Sequence, residues 1–235
     1  MDSRQTRGPR AEPVYDWLAY YAEFDPGRLA AVDLDTGRRY AYGEFDARVT
    51  RLATGLAERH GVLAGDRVAF LAHDSTDHFA TMFACWKLGA IFVPLNRRLS
   101  AHELARIVAH AEPAVVVHDA EFAPLLAQVP AAARGGPARV RRGECLAVAG
   151  ARCEFEALIA AHEPRVRMQG VTFDTVNLLI YTSGTTGRPK GVIYDHRMTH
   201  NVVVHAALHA RVRAHSRTLT YAPLFHSAGL CATTL

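Results

Sequence analysis

The stretch from Leu178 to His196, LLIYTSGTTGRPKGVIYDH, decides how the rest of the chain is read. An apolar run stops at Tyr181 and gives way to a string of Thr, Ser, Gly, Arg, Pro and Lys that ends at Gly191. Backbone N–H groups in a Gly-rich turn can converge on an anion, and hydroxyls and a lysine add donors. Here Gly184, Gly187 and Gly191 supply the turn, Thr182, Ser183, Thr185 and Thr186 the hydroxyls, and Lys190 the charge. The order departs from the P-loop G-x-x-x-x-G-K-[ST], because Pro189 precedes the lysine and Gly191 follows it. A Ras-like nucleotide fold is therefore disfavoured. A plain solvent-exposed turn seldom gathers these residue types directly behind a buried strand.

Working outward, helical and strand signals alternate. In GEFDARVTRLATGLAERHG, Phe45, Val49, Leu52 and Leu56 fall on one helical stripe that stops at Gly61. GDRVAFLAH reads as a turn and a buried strand. STDHFATMFACWKLGA reads as a helix capped by Ser75, with Phe79, Met82, Phe83 and Trp86 inward. IFVPL is a strand closed by Pro94, SAHELARIVAHA a helix with a Ser100/Glu103 capping box, and AVVVHD a further buried strand. This rhythm predicts an α/β fold, mostly parallel sheet flanked by helices on both faces. From 130 to 150 the pattern dissolves into Ala, Arg, Gly and Pro, which predicts a long connection. After CEFEALIAAHE, a short helix, come the strand VNLLIY, the Gly-rich loop and the strand GVIYD. HRMTHNVVVHAALHARV is read as a helix and RTLTYAPLFHSAGL as a strand running into a loop.

The composition, 49% hydrophobic and 21% charged over 235 residues, is that of a folded globular chain with a sizeable core. The apolar runs are strand-sized, so no transmembrane segment is expected. Arg4, Arg7 and Arg10 have no apolar segment behind them, which argues against a secretory signal. The basic cluster Arg134, Arg139, Arg141 and Arg142 has no interleaved aromatics and reads as solvated surface rather than a nucleic-acid site. Cys85, Cys145, Cys153 and Cys231 have neither CxxC nor zinc spacing. They read as reduced thiols of a cytoplasmic protein, with Cys85 a small buried hydrophobe.

The segment YTSGTTGRPKGV strongly resembles the signature loop of the adenylate-forming (AMP-binding) superfamily, which includes acyl-CoA synthetases and nonribosomal-peptide adenylation domains. RRYAYGEFDARVTRLATGL, GDRVAF, FACWKLGAIFVPLNRRLS and PLFHSAGL are similar to further segments of the same family. The resemblance is greatest to the N-terminal part of a fatty-acid–CoA ligase. It implies ATP-dependent activation of a carboxylic acid as an acyl-adenylate with Mg²⁺, then transfer to the thiol of coenzyme A. By that resemblance Ser183, Gly184, Thr185, Thr186, Gly187 and Lys190 would cradle the phosphates of ATP. Thr182 would help hold Mg²⁺ through its hydroxyl, and Pro189 would fix the turn. His226 corresponds to a histidine beside the acyl pocket; a packing role at a strand end is the competing reading. Phe225, Ser227, Ala228 and Gly229 would shape the substrate entrance, Gly229 by leaving space. Tyr181 and Tyr221 read as core or strand-end residues.

His196, His200, His205 and His209 fall on one predicted helix at spacings that invite a metal site. At 100° per residue the second pair lies about 180° around the helix from the first, so the four cannot share an ion. Residues 1–13, with their arginines and no apolar segment, read as a disordered start, and the resemblance implies that 14–235 is an incomplete AMP-binding domain. The family's acidic YGxTE motif, ribose-binding aspartate, hinge and small lid domain with its catalytic lysine are not found. The expectation is therefore a chain that does not complete the reaction alone. Two alternatives stay open: a non-catalytic binding module, and an amino-acid adenylation module that loads a carrier protein. The acid used and the oligomeric state are not legible.

Overall fold

The computed structural model describes residues 12–129, 138–141, 153–182, 189–213 and 215–233. The chain enters through helix α1 (Trp17–Phe24), an antiparallel pair β1 (Leu29–Val32) and β2 (Arg39–Ala41), and the long helix α2 (Tyr42–His60). It then alternates β3 (Arg67–Leu71), α3 (Thr76–Leu88), β4 (Ile91–Pro94), α4 (Ala101–Ala111), β5 (Val115–His118), the short α5 (Ala123–Ala127) and β6 (Ala138–Arg141). Helix α6 (Glu154–Ala160) leads to β7 (Val176–Thr182), β8 (Lys190–Asp195), α7 (His196–His209) and α8 (Ser227–Thr233). The main sheet has the order β6-β5-β3-β4-β7-β8. Its pairs are parallel except β7 with β8, which is antiparallel.

Both faces of this sheet are covered, as parallel strands require. Side chains alternate between two cores, as a period of two dictates. Val68, Phe70, Phe92, Val115, Val117, Leu178 and Ile180 pack under α2, α3 and α6. Ala69, Leu71, Val93 and Val116 face the other way, against Leu104, Ile107 and Val108 of α4. The predicted α2 stripe of Phe45, Val49, Leu52 and Leu56 is buried, each side chain contributing about 1.5–3 kcal/mol. Helix α2 ends on Gly61 in the left-handed region, its N–H returning to the Ala57 carbonyl. The capping box of α4 is present: Ser100 Oγ accepts from Glu103 N, and Glu103 Oε2 accepts from Ser100 N. Ser75 holds the N-cap position of α3, and its carbonyl accepts from His78 N.

Two expectations are corrected. The connection at 130–150 contains a strand: β6 pairs in parallel with β5 and includes Arg139 and Arg141 of the basic cluster. The strand expected in RTLTYAPLF is not formed; residues 217–223 have no regular structure, and Leu219 and Tyr221 are exposed. An apolar alternation needs a neighbouring strand to become sheet, and here none pairs with it among the described residues. At the start, residues 1–11 lie outside the described residues, while Glu12 and Pro13 are held. The Glu12 carbonyl accepts from Phe173 N, and Pro13 bridges to Thr172.

A buried ion network fastens the helices that cover the first core. Arg48 of α2 donates twice to Glu156 of α6, at 2.6 and 2.9 Å, and once to Asp77 of α3 at 2.7 Å. Arg38, just before β2, adds a bond of 3.1 Å to Glu156. Burial alone would lower the Arg48 pKa, but the bonds to Glu156 and the charges of Asp77 and Glu156 outweigh it and raise it. Burial likewise pushes the Glu156 carboxyl up, and the Arg48 hydrogen bonds reverse this and hold it below its ordinary value. At the other end of α3, Lys87 is buried between Asp16 and Asp46, tying α1 to α2. Removing one member of such a group strands charge in a largely buried site, at a cost of up to about 3–5 kcal/mol. Arg48→Met is therefore expected to lower the free energy of urea unfolding by about that amount; a loss below about 1 kcal/mol would show the network to be dispensable.

Candidate functional site at the carboxyl edge of the sheet

Because β3, β4 and β7 run parallel, all three end on the same edge of the sheet, where open α/β folds bind ligands. The loop after β7 is the Gly-rich segment. Residues 183–188, which include the expected phosphate-cradle residues Ser183, Gly184, Thr185, Thr186 and Gly187, lie outside the described residues. Its base is described. Thr182, the last residue of β7, pairs in register with Lys190, the first of β8, and Tyr181 pairs with Gly191. The loop therefore closes a β-hairpin, with a strand on each side rather than the strand-then-helix of a P-loop. Thr182 and Lys190 are both exposed, which leaves the hydroxyl and the ammonium available at the hairpin base.

Local packing explains the residues beside them. A Cβ on Gly191 would come within 2.8 Å of Leu179 Cδ1 and 3.3 Å of the Tyr181 ring, so a glycine lets β8 close over them. Tyr181 is half-buried and its hydroxyl lies 2.6 Å from His110 Nδ1 at the end of α4. Burial pushes the Tyr181 phenol up to about 12, so it stays protonated and anchors the end of β7. This fits its reading as a strand-end residue. Tyr221 is 92% exposed and is neither core nor strand end.

The segment PLFHSAGL arrives at the same edge. Asp74 Oδ1, in the loop after β3, accepts from Leu224 N at 3.1 Å. Arg98, in the loop after β4, lies over the Phe225 ring at 6.0 Å. Leu224 and Leu230 are buried beneath. His226 is exposed at the N-terminal cap of α8, where its Nδ1 accepts from Ala228 N at 3.3 Å. That bond assigns the neutral ring a proton on Nε2. The packing reading of His226 is thus replaced by a capping one, with the ring open to solvent. At Gly229 an added Cβ would sit 2.3 Å from the Pro223 carbonyl and 2.8 Å from that of Ala222. The space expected for substrate is taken up by the segment's own backbone. Arg98 belongs to the family-like segment FACWKLGAIFVPLNRRLS, but neither its contact with Phe225 nor that of Asp74 with Leu224 is legible in the sequence.

His196 opens α7, directly after β8. It is 4% exposed, packs edge-on against Trp86, and its Nδ1 lies 3.3 Å from Asn177 Nδ2. Its Nε2 is buried with no hydrogen-bond partner among the described residues. Burial lowers its pKa to about 4, with the Asp195 charge only partly opposing. His200 contacts the Phe173 ring, and His205 and His209 are exposed. A concavity of about 470 Å³ lies elsewhere, lined by Arg39, Tyr40, Glu44, Arg48 and Arg51 and by no residue of the six-stranded sheet.

Comparison with known proteins agrees with this arrangement. The family model described as AMP-binding enzyme matches residues 18–235, and the chain belongs to that adenylate-forming family. Over 222 residues it is 40% identical to the feruloyl-CoA synthase of an Amycolatopsis species, covering 94% of this chain and 41% of that protein. It is 35% identical to the long-chain-fatty-acid–CoA ligase FadD13 of Mycobacterium tuberculosis, covering 91% and 41%. Among solved structures, the inhibitor-bound N-terminal domain of FACL13 from M. tuberculosis superposes with a TM-score of 0.80 at 29% identity, covering 92% of this chain and 52% of that one. The chain thus spans about two-fifths of the length of these curated relatives. Among the described residues no helix is long and apolar enough to cross a membrane.

The His196 environment yields a pH prediction. In the unfolded chain the imidazole takes a proton near pH 6.5; in the fold it does so only near pH 4. Between these values the unfolded state binds more protons. Stability is therefore complete above about pH 6.5 and falls as the pH drops toward 4, by up to about 3 kcal/mol. The difference between wild type and His196→Asn in chemical unfolding across this window should carry that slope; parallel curves would contradict it.

Proposed function

We propose that the chain carries the triphosphate-binding and part of the acyl-binding elements of an acid–thiol ligase of the acyl-CoA synthetase type. The observation that carries this reading is the hairpin base at the carboxyl edge, with Thr182 and Lys190 paired and exposed. In the full reaction a carboxylate oxygen attacks the α-phosphorus of ATP, the bond to the bridging oxygen breaks, and pyrophosphate leaves. Thiol attack on the acyl-adenylate carbonyl then forms the thioester and releases AMP. Coenzyme A is the thiol favoured by the feruloyl-, fatty-acid- and indoleacetate–CoA ligases among the relatives. A carrier-protein thiol is the second reading, supported by 32% identity to the fatty acid–[acyl-carrier-protein] ligase ScoC of Streptomyces coeruleorubidus.

This chain's own residues would act on the leaving group. The Lys190 ammonium would offset charge on the β- and γ-phosphates as it develops on the leaving group. The Thr182 hydroxyl suits a hard, oxygen-seeking cation, so this donor set fits Mg²⁺ bound together with the phosphates. When bound, Mg²⁺ neutralises the triphosphate and the departing pyrophosphate. His226, exposed with a protonated Nε2, can donate a hydrogen bond to the substrate carboxylate; Asp74 and Arg98 hold the segment that presents it. Val192, Ile193, Met198, Val202 and Leu208 leave β8 and α7 with exposed apolar surface. Such a surface fits a chain that works with further sequence packed on this side.

A charge-assisted contact of the Lys190 type contributes about 1.5–3 kcal/mol. The chain is expected to bind MgATP weakly in equilibrium dialysis, and Lys190→Ala to weaken that binding by about ten- to a hundredfold. ATP–pyrophosphate exchange by the chain alone should stay at background. Unchanged binding in Lys190→Ala would remove the phosphate assignment. Robust exchange abolished by Lys190→Ala would show instead that the chain completes adenylation by itself.

A further inference from the structure

Two and three strands away from β7, the ends of β3 and β5 bring three metal-ligating side chains together. His73, Asp119 and Glu121 each place one ligand atom so that all lie within 4.8 Å of one another. The backbone fixes their arrangement. Asp119 N donates to the Leu71 carbonyl, and Asp119 Oδ2 accepts from His73 N at 2.7 Å. These bonds cross-link the loop after β3 to the 3₁₀ turn Ala120–Phe122 after β5. The imidazole of His73 then meets the carboxylate of Glu121, Nε2 to Oε1 at 2.5 Å, with the Phe122 ring beside it at 5.9 Å. Asp119 is 8% exposed, whereas the side chains of His73 and Glu121 are half or more exposed. One ligand is therefore rigid and two can adjust, on a site open to water.

We infer that His73, Asp119 and Glu121 form a site for a divalent transition-metal ion of the zinc class, separate from the Mg²⁺ expected with ATP. One imidazole nitrogen and two carboxylate oxygens already lie within 4.8 Å of one another, so small movements of the two exposed side chains bring all three to one ion. One nitrogen and two oxygen ligands, with water in the remaining positions, suit Zn²⁺ and its neighbours. Ca²⁺ and Mg²⁺ favour all-oxygen sets. The ion would join the loop after β3 to the turn after β5. The residue next to His73 is Asp74, which holds Leu224, so the ion would also brace the segment leading to His226. The bare alternative is a surface His–Glu ion pair that needs no metal.

Isothermal titration of the full chain with ZnCl₂, with MgCl₂ as the comparison, tests the assignment. The inference predicts one Zn²⁺ per chain, no saturable Mg²⁺ at this site, and a rise in melting temperature with Zn²⁺. His73→Ala and Glu121→Gln should each weaken Zn²⁺ binding by more than about tenfold. The exposed His205 and His209 are a competing candidate pair, so His205→Ala/His209→Ala is run as a third variant. Zn²⁺ binding that survives both His73→Ala and Glu121→Gln, that is lost only in the α7 double variant, or that is absent at 100-micromolar order concentrations, would overturn the inference. Should His73→Ala unfold, Glu121→Gln, on an exposed turn, carries the test.

Discussion

The constraint on which the structure depends is the parallel pairing of β3 with its neighbours β4 and β5, extended through β4 to β7. Parallel strands cannot be joined by tight turns, so each must be followed by a helix that returns across a face of the sheet. That requirement buries both faces and sends all the strand ends to one edge. The chemistry-bearing segments follow from it. The loops after β3 and β4 hold Leu224 and Phe225 through Asp74 and Arg98, and the loop after β7 becomes the Gly-rich hairpin. The one antiparallel step, β7 to β8, turns that loop back on itself and sets Lys190 opposite Thr182.

The helical layer has its own constraint. Arg48, Glu156, Asp77 and Arg38 form a network between α2, α3, α6 and the approach to β2, and Lys87 does the same for α1 and α2. Buried ion groups add little net stability compared with an apolar core, but breaking one is costly. Their main effect is to fix how the helices sit over the sheet. Cys153 belongs to the same structure: its Sγ accepts from Glu156 N at the start of α6, so it is a buried cap rather than a reactive thiol.

Much of the sheet and its main helices was legible in the sequence because each element has a strong period. The stripe of α2 and the capping box of α4 predicted their own burial and start, and VVVH between polar turns predicted β5. Strand β6 was illegible because an edge strand needs only one partner, and the four-residue alternation ARVR is too short to stand out among Ala, Gly and Pro. The opposite error occurred at 217–223, where apolar residues alternate without a neighbouring strand. The hairpin base was legible from residue type and order. The support for the His226 segment was not, because Asp74 and Arg98 act through distant contacts that leave no local signature. His226 shows the limit of motif reading: the segment was recognised, but its capping bond could be seen only in three dimensions.

The central claim is that the carboxyl edge formed by the β7–β8 hairpin and the segment 223–230 receives the nucleotide. Hydrogen–deuterium exchange of the chain with and without saturating MgATP tests it most directly. The account predicts slowed exchange across 181–191 and in 223–230, with the helices of the opposite core unchanged. Protection confined to the concavity around Arg39, Arg48 and Arg51, with the hairpin exchanging as before, would contradict it.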